Sequence, residues 1–96
     1  MTHVIIATWK AKPGKADEVA QILRELAPKV RNEPCAPLFL ANRSLQEPDV
    51  FVLYEQYRDE AAFIEHQQTE HFKRLVLERA LPLLAHRERP AFSLLP

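Results

Sequence analysis

The first eleven residues crowd β-branched and aromatic side chains together: Val4, Ile5, Ile6, Thr8 and Trp9. Such residues suit a pleated, half-buried surface, so a strand is predicted from His3 to Ala11, stopped by Lys12-Pro13-Gly14. Gly14 is placed to take a backbone conformation that residues with a Cβ resist. Over residues 15–32 the apolar period changes. Val19, Ile22, Leu23, Leu26 and Val30 recur at steps of three and four, which puts them on one helix face. Asp17 and Glu18 in the first turn, and Lys29 and Arg31 near the end, match the helix dipole. Pro28 cannot donate a backbone hydrogen bond, so a kink or break is predicted there. Residues 33–37, Glu-Pro-Cys-Ala-Pro, read as a turn.

Two further strands follow, over residues 38–45 and Val50–Tyr57, joined as an antiparallel hairpin by residues 46–49, which include Pro48. In the second of these, Phe51, Leu53, Glu55 and Tyr57 share one face and Val52, Tyr54 and Gln56 the other. Asp59 is placed to cap a short helix through Ala62, Phe63 and His66. Thr69 can cap another, with Phe72, Leu75, Val76 and Ala80 on one face before Pro82. Residues 90–95 read as a last strand. The order β-α-β-β-α-(α)-β predicts an α+β, ferredoxin-like fold: a four-stranded antiparallel sheet with helices on one face. The strands are apolar on both faces and the helices can cover only one, so a homodimer is predicted.

Composition narrows the function. Ninety-six residues predict a single domain over 1–96. Thirteen basic residues balance thirteen acidic ones, which leaves no general pull toward nucleic acid or anionic membrane. No stretch approaches the roughly 18 apolar residues of a membrane span, and the N-terminus does not read as a signal peptide. One cysteine, Cys35, allows no intrachain disulfide and no cysteine-based zinc cluster. Nothing beside it activates the thiol. These features together predict a cytoplasmic protein without nucleic-acid or membrane partners.

Several segments carry a resemblance when read in order: Lys12-Pro13-Gly14-Lys15, Asn42-Arg43-Ser44, Phe51-Val52-Leu53-Tyr54-Glu55-Gln56-Tyr57, Asp59-Glu60-Ala61-Ala62, His66, and His71-Phe72. From Val4 to about Leu84 the chain resembles the antibiotic-biosynthesis-monooxygenase family. The resemblance implies a dimeric α+β barrel. It also implies oxidation of a quinol, anthrone or related polyphenol by molecular oxygen without a cofactor, so the expected ligands are a small aromatic substrate and oxygen. The sequence departs from the family pattern in places. Glu33-Pro34-Cys35-Ala36 lacks the usual glycine before cysteine. His66 stands where some oxygenases and haem degraders have tryptophan, Ala62 where they have asparagine, and Val76 where haem degraders have histidine. Haem cleavage is therefore not expected. Relatives also include an isomerase, so an isomerase or other proton-transfer enzyme acting on a small metabolite, phosphorylated or not, and a non-catalytic dimeric small-molecule-binding protein stand as alternatives.

Cofactor-free oxygenation needs a general base, donors for a developing oxyanion and a dry aromatic slot. His66 and His71 are the candidate bases, since histidine as a residue type titrates near neutrality. A surface or capping role is the competing reading. Glu55, on an apolar strand face, needs a partner. It is either a third catalytic residue or one half of a buried salt bridge with Arg43 on the neighbouring strand. Asn42 and Arg43 are candidate substrate ligands; Asn42 read structurally is a hydrogen bond within the sheet. Trp9, Phe39, Phe63 and Phe72 either wall a pocket for a flat ligand or are plain core. Lys73, Arg74, Arg79, Arg87 and Arg89 read either as a solvated basic face or as a surface for an acidic ligand such as a phosphorylated sugar. A metal site formed by the histidines with Glu55 is the alternative reading, but the ligand spacing matches no strong metal motif, so no metal is expected. The pocket is predicted between the helix-facing side of the sheet and the segment from Phe63 to Phe72.

Overall fold

A computed structural model describes residues 1–96. The elements in chain order are β1 (His3–Ala11), α1 (Ala16–Arg31), β2 (Leu38–Arg43), β3 (Val50–Tyr57), α2 (Glu60–Gln67), α3 (Phe72–Ala80), a 3₁₀ turn (Leu81–Leu83), β4 (Leu84–Glu88) and β5 (Ala91–Ser93). The strands form one antiparallel sheet in the order β2-β3-β1-β4, with β5 also paired to β1. The fold is α+β and ferredoxin-like, as expected, but the sheet has five strands where four were predicted.

The fifth strand is an interruption more than an addition. Thr8 faces Glu88 and Trp9 faces Arg87 in β4; Val4 faces Phe92 and Ile5 faces Ala91 in β5. The register is the same on both sides of Pro90, and the Ile6 N–H still donates to the Pro90 carbonyl at 3.3 Å. Proline has no N–H to return, so one ladder reads as two strands. β2 ends at Arg43, two residues short of the predicted limit. Pro28 does not break α1, which stays helical to Arg31. The proline falls at the start of the last turn, and buried Leu26, Ala27 and Val30 hold that turn against the core. Gly14 has a φ of +78°, the left-handed region that glycine enters without steric cost.

The helix-facing side of the sheet presents Ile5, Ala7 and Trp9 from β1, Phe39 from β2, and Phe51, Leu53, Glu55 and Tyr57 from β3, all buried. Val19, Ile22, Leu23 and Leu26 of α1 and Phe72, Leu75 and Val76 of α3 complete this core. α3 has π-type hydrogen bonding: the Leu81 N–H at its end reaches back five residues to the Val76 carbonyl. Such helices are rare and tend to occur near functional sites. The other side of the sheet is only partly covered within the chain: Val4 is buried there. Leu40, Tyr54 and Ile6 lie side by side across β2, β3 and β1, and Leu40 is 44% exposed. No helix is long and apolar enough to cross a membrane.

Candidate functional site: a carboxylate with two histidines beside a buried acid and arginine

Capping interactions set the frame. The Asp59 carboxylate accepts the Ala62 N–H at 2.8 Å and starts α2. Thr69 closes the gap between helices in both directions. Its hydroxyl donates to the His66 carbonyl at 2.7 Å and accepts the Phe72 N–H at 3.2 Å. The predicted break at residues 67–69 is thus a tight, hydrogen-bonded corner. His66 lies in the last turn of α2 and His71 immediately before α3.

Both rings converge on Glu33, just beyond the end of α1. His66 Nδ1 lies 2.8 Å from Glu33 Oε2 and 3.1 Å from Oε1. His71 Nε2 lies 2.6 Å from the same Oε2. Burial alone would raise the Glu33 pKa, but hydrogen bonds from His66 and His71, together with the charge on the rings, outweigh it and hold this carboxyl below its ordinary value. The His66 ring is only 3% exposed. It packs against Tyr57, Phe63 and Phe72, with centroids 5.2, 6.2 and 5.1 Å away. Its Nδ1 is engaged by Glu33, and Nε2 makes no hydrogen bond within the chain. A carboxylate on one ring nitrogen fixes the ring's orientation and tautomer.

His66 also borders a small cavity between helices and sheet, of about 20 Å³, shared with Trp9, Phe39, Glu55, Phe63 and Phe72. This is where the sequence placed the pocket, but it has room for only one water-sized guest. Glu55 accepts the Tyr57 hydroxyl at 2.5 Å. Desolvation dominates its chemistry. Burial raises its pKa to about 6 against the opposing effects of Tyr57, His66 and Arg87. Tyr57 is pushed upward in turn, by burial and then by the charge of Glu55.

Arg87 of β4 borders the same cavity. Its Nε is buried without a hydrogen-bond partner. Burial and then the neighbouring Arg89 lower its pKa, while Glu55 opposes them. A buried donor without a partner is uncommon and calls for an explanation. An anionic guest in the cavity would supply one.

Other expectations require correction. Arg43 does not pair with Glu55. Its guanidinium binds Asp17 at 3.0 Å and the Pro48 carbonyl at 2.7 Å, and it lies over the Phe51 ring. Phe39, not Arg43, stands opposite Glu55 in the ladder, so the pairing was a register error. Asn42 donates to the carbonyls of Leu40 and Val52, the hydrogen bonding within the sheet that was its structural reading. Asn42 and Arg43 border a separate groove of about 350 Å³ between α1 and β2, away from the histidines. Arg87 is not part of a solvated basic face. The structure adds two residues that the sequence reading did not assign to the site, Glu33 and Arg87. Glu33 was hidden in a turn. Arg87 was detectable only through the alternation His86-Arg87-Glu88, which turns the middle residue inward once the segment is known to be a strand.

Glu33, His66 and His71 each offer a donor atom within 4.8 Å of the others, so they are also the residues here able to hold a metal. The model of the antibiotic biosynthesis monooxygenase family matches residues 2–76. No protein of curated function matches the chain. Among solved structures, one described as an antibiotic biosynthesis monooxygenase is similar at 32% identity over 100% of both chains, with a TM-score of 0.91. A Pseudomonas aeruginosa protein is similar at 30% identity over 99% of this chain and 95% of its own, with a TM-score of 0.93. A Shewanella oneidensis protein is similar at 25% identity over 95% and 88%, with a TM-score of 0.88.

Proposed function

The chain belongs to the antibiotic biosynthesis monooxygenase family, and from that premise we propose that it oxidises a quinol, anthrone or related polyphenol with molecular oxygen, without a cofactor. The observation that carries this reading is His66: a buried imidazole held at Nδ1 by Glu33, beside an aromatic cavity that also contains a raised carboxyl and an unpartnered arginine donor.

In this reading His66 Nε2 takes the proton from the substrate. Glu33 stabilises the imidazolium that forms, as a carboxylate behind a catalytic histidine does. The Arg87 guanidinium balances the substrate oxyanion. The electron-rich anion then combines with dioxygen. For an anthrone, the ring CH⁻ becomes a peroxide anion, His66 returns its proton to give the hydroperoxide, and the remaining C–H proton leaves with the hydroxide released as the O–O bond breaks. A carbonyl and one water remain, so atoms and electrons balance. Burial serves this chemistry because water would quench the anion and weaken each electrostatic contact. An aromatic ring exceeds the present cavity. Phe63 and Arg89 are its least buried apolar and polar borders, so they are the side chains that move to admit substrate.

The working unit in this proposal is a cytoplasmic homodimer. The uncovered row Leu40–Tyr54–Ile6 is the surface on which a second sheet would pack. The test is oxygen uptake by the purified protein across a panel of hydroquinones and anthrones. His66→Gln should lower turnover by about 10²- to 10⁴-fold, the usual contribution of general acid–base catalysis. Glutamine is preferred to alanine because loss of this buried ring would open a cavity and cost stability as well. No uptake with any substrate would sink the oxygenase reading. Retained, His66-dependent proton exchange without uptake would point instead to an isomerase.

A further inference from the structure

We propose that Glu33, His66 and His71 form a binding site for a first-row divalent cation of the zinc, cobalt or nickel type. Two imidazoles and one carboxylate are a donor set that suits these ions. The three donors come from separate parts of the fold: the end of α1, the last turn of α2 and the residue before α3. They are nevertheless already gathered, with all three donor atoms within 4.8 Å of one another.

Little movement is required. A tetrahedral ion with bonds of about 2.0–2.1 Å separates its ligand atoms by about 3.3 Å. The carboxylate now lies 2.8 Å from His66 Nδ1 and 2.6 Å from His71 Nε2, so each of these contacts widens by a fraction of an ångström, while the two imidazole nitrogens, within 4.8 Å of one another, draw together. The surroundings favour a fixed geometry. The His66 ring is clamped by three aromatic neighbours, and the Thr69 hydroxyl holds its backbone carbonyl. Outer contacts of this kind orient metal ligands.

The ion would not be sealed in. Glu33 and His71 line a solvent-open concavity with Lys29, Asn32, Glu70 and Arg74. Water can supply the remaining coordination position from that side. Lys29 and Arg74 disfavour a cation at long range, but they are exposed and screened by salt. Three donors at bonding distance outweigh them.

Occupancy has a consequence for His66 that rests on the oxygenase reading above. A metal on Nδ1 leaves the ring proton on Nε2, the nitrogen otherwise free to accept one from substrate. The loaded protein would then lack its base, so the ion would act as an inhibitor and not as a cofactor.

The experiment uses the full chain, stripped with chelator and titrated with Co²⁺ followed by visible absorption, and with Zn²⁺ followed by calorimetry. Expected are cobalt d–d bands that saturate at one ion per chain, release of protons on binding and displacement by zinc. His71→Ala should weaken binding by at least about tenfold, since even outer-contact changes cost that much; Glu33→Gln should do the same. His86→Ala, at the exposed His86–Glu88 pair, should leave binding unchanged. Absence of cobalt bands at millimolar Co²⁺, or binding that survives His71→Ala, overturns the proposal. His71 is at the surface side of the cluster, so its variant decides the matter even if Glu33→Gln fails to fold. None of these readouts depends on turnover, so an inactive protein that binds cobalt refutes only the oxygenase reading.

Discussion

Glu55 is an acid in an apolar core, and its ionisation should be visible in the stability of the whole protein. The carboxyl is 5% exposed and accepts one hydrogen bond, from Tyr57. Its pKa is raised from 4.5 to about 6, chiefly by desolvation. Moving a carboxyl by that amount is worth about 2 kcal/mol between its two protonation states. Because the folded value is the higher one, the contribution is fully present below pH 4.5 and is lost as pH rises through about 6. Glu55→Gln removes the titration while keeping an oxygen for the Tyr57 hydroxyl. It also removes the charge facing Arg87, but Arg87 stays protonated throughout this range, so that effect displaces the variant's curve without tilting it. Urea unfolding of both proteins, at fixed protein concentration and at intervals from pH 4 to 7.5, gives the measurement. The stability of wild type relative to variant should fall by about 2 kcal/mol across that window. Curves that run parallel would refute the reasoning, and so would a difference that grows with pH.

Glu33→Gln should show the opposite tilt. The folded pKa of Glu33 is depressed, so its contribution is present above 4.5 and lost as pH falls through the folded value; the same urea series checks it. Leu40→Asp places a charge in the uncovered row beside Tyr54 and Ile6. In sedimentation equilibrium it should convert a particle of twice 11.1 kDa into one of 11.1 kDa with an unchanged far-ultraviolet spectrum. A wild type already at 11.1 kDa at micromolar concentration would remove the dimer. Gly14→Ala meets no atom within 4 Å but must keep a φ of +78°. It should cost about 1 kcal/mol, the penalty of a left-handed backbone for a residue with a Cβ, and Gly14→Asn should cost less in the same thermal melts.

Local chemistry made much of the fold legible. The period of three and four in α1, the alternation in β3, the cap at Asp59 and the corner at Thr69 are decided by residues near one another in the chain, and each was where the pattern put it. So was the left-handed Gly14. The errors share a cause: each depended on a neighbour distant in sequence. Pro28 looked like a break because propensity is local, whereas the buried face of α1 holds the helix together. Residues 84–88 were not assigned to a strand, and Arg87 looked like solvated charge, until β1 was there to pair with them. Arg43 was assigned to Glu55, but ladder register places Phe39 opposite that acid. The candidate site divides the same way. Sequence alone marked His66, His71, Glu55 and the aromatics as residue types suited to proton transfer, since type and periodicity are written in the chain. Only tertiary structure brought Glu33 across 33 positions to His66 and turned Arg87 into the core. It also sent Asn42 and Arg43 to a different groove. A carboxylate becomes the partner of a histidine through packing of the helices that carry them, and no spacing along the chain encodes that distance.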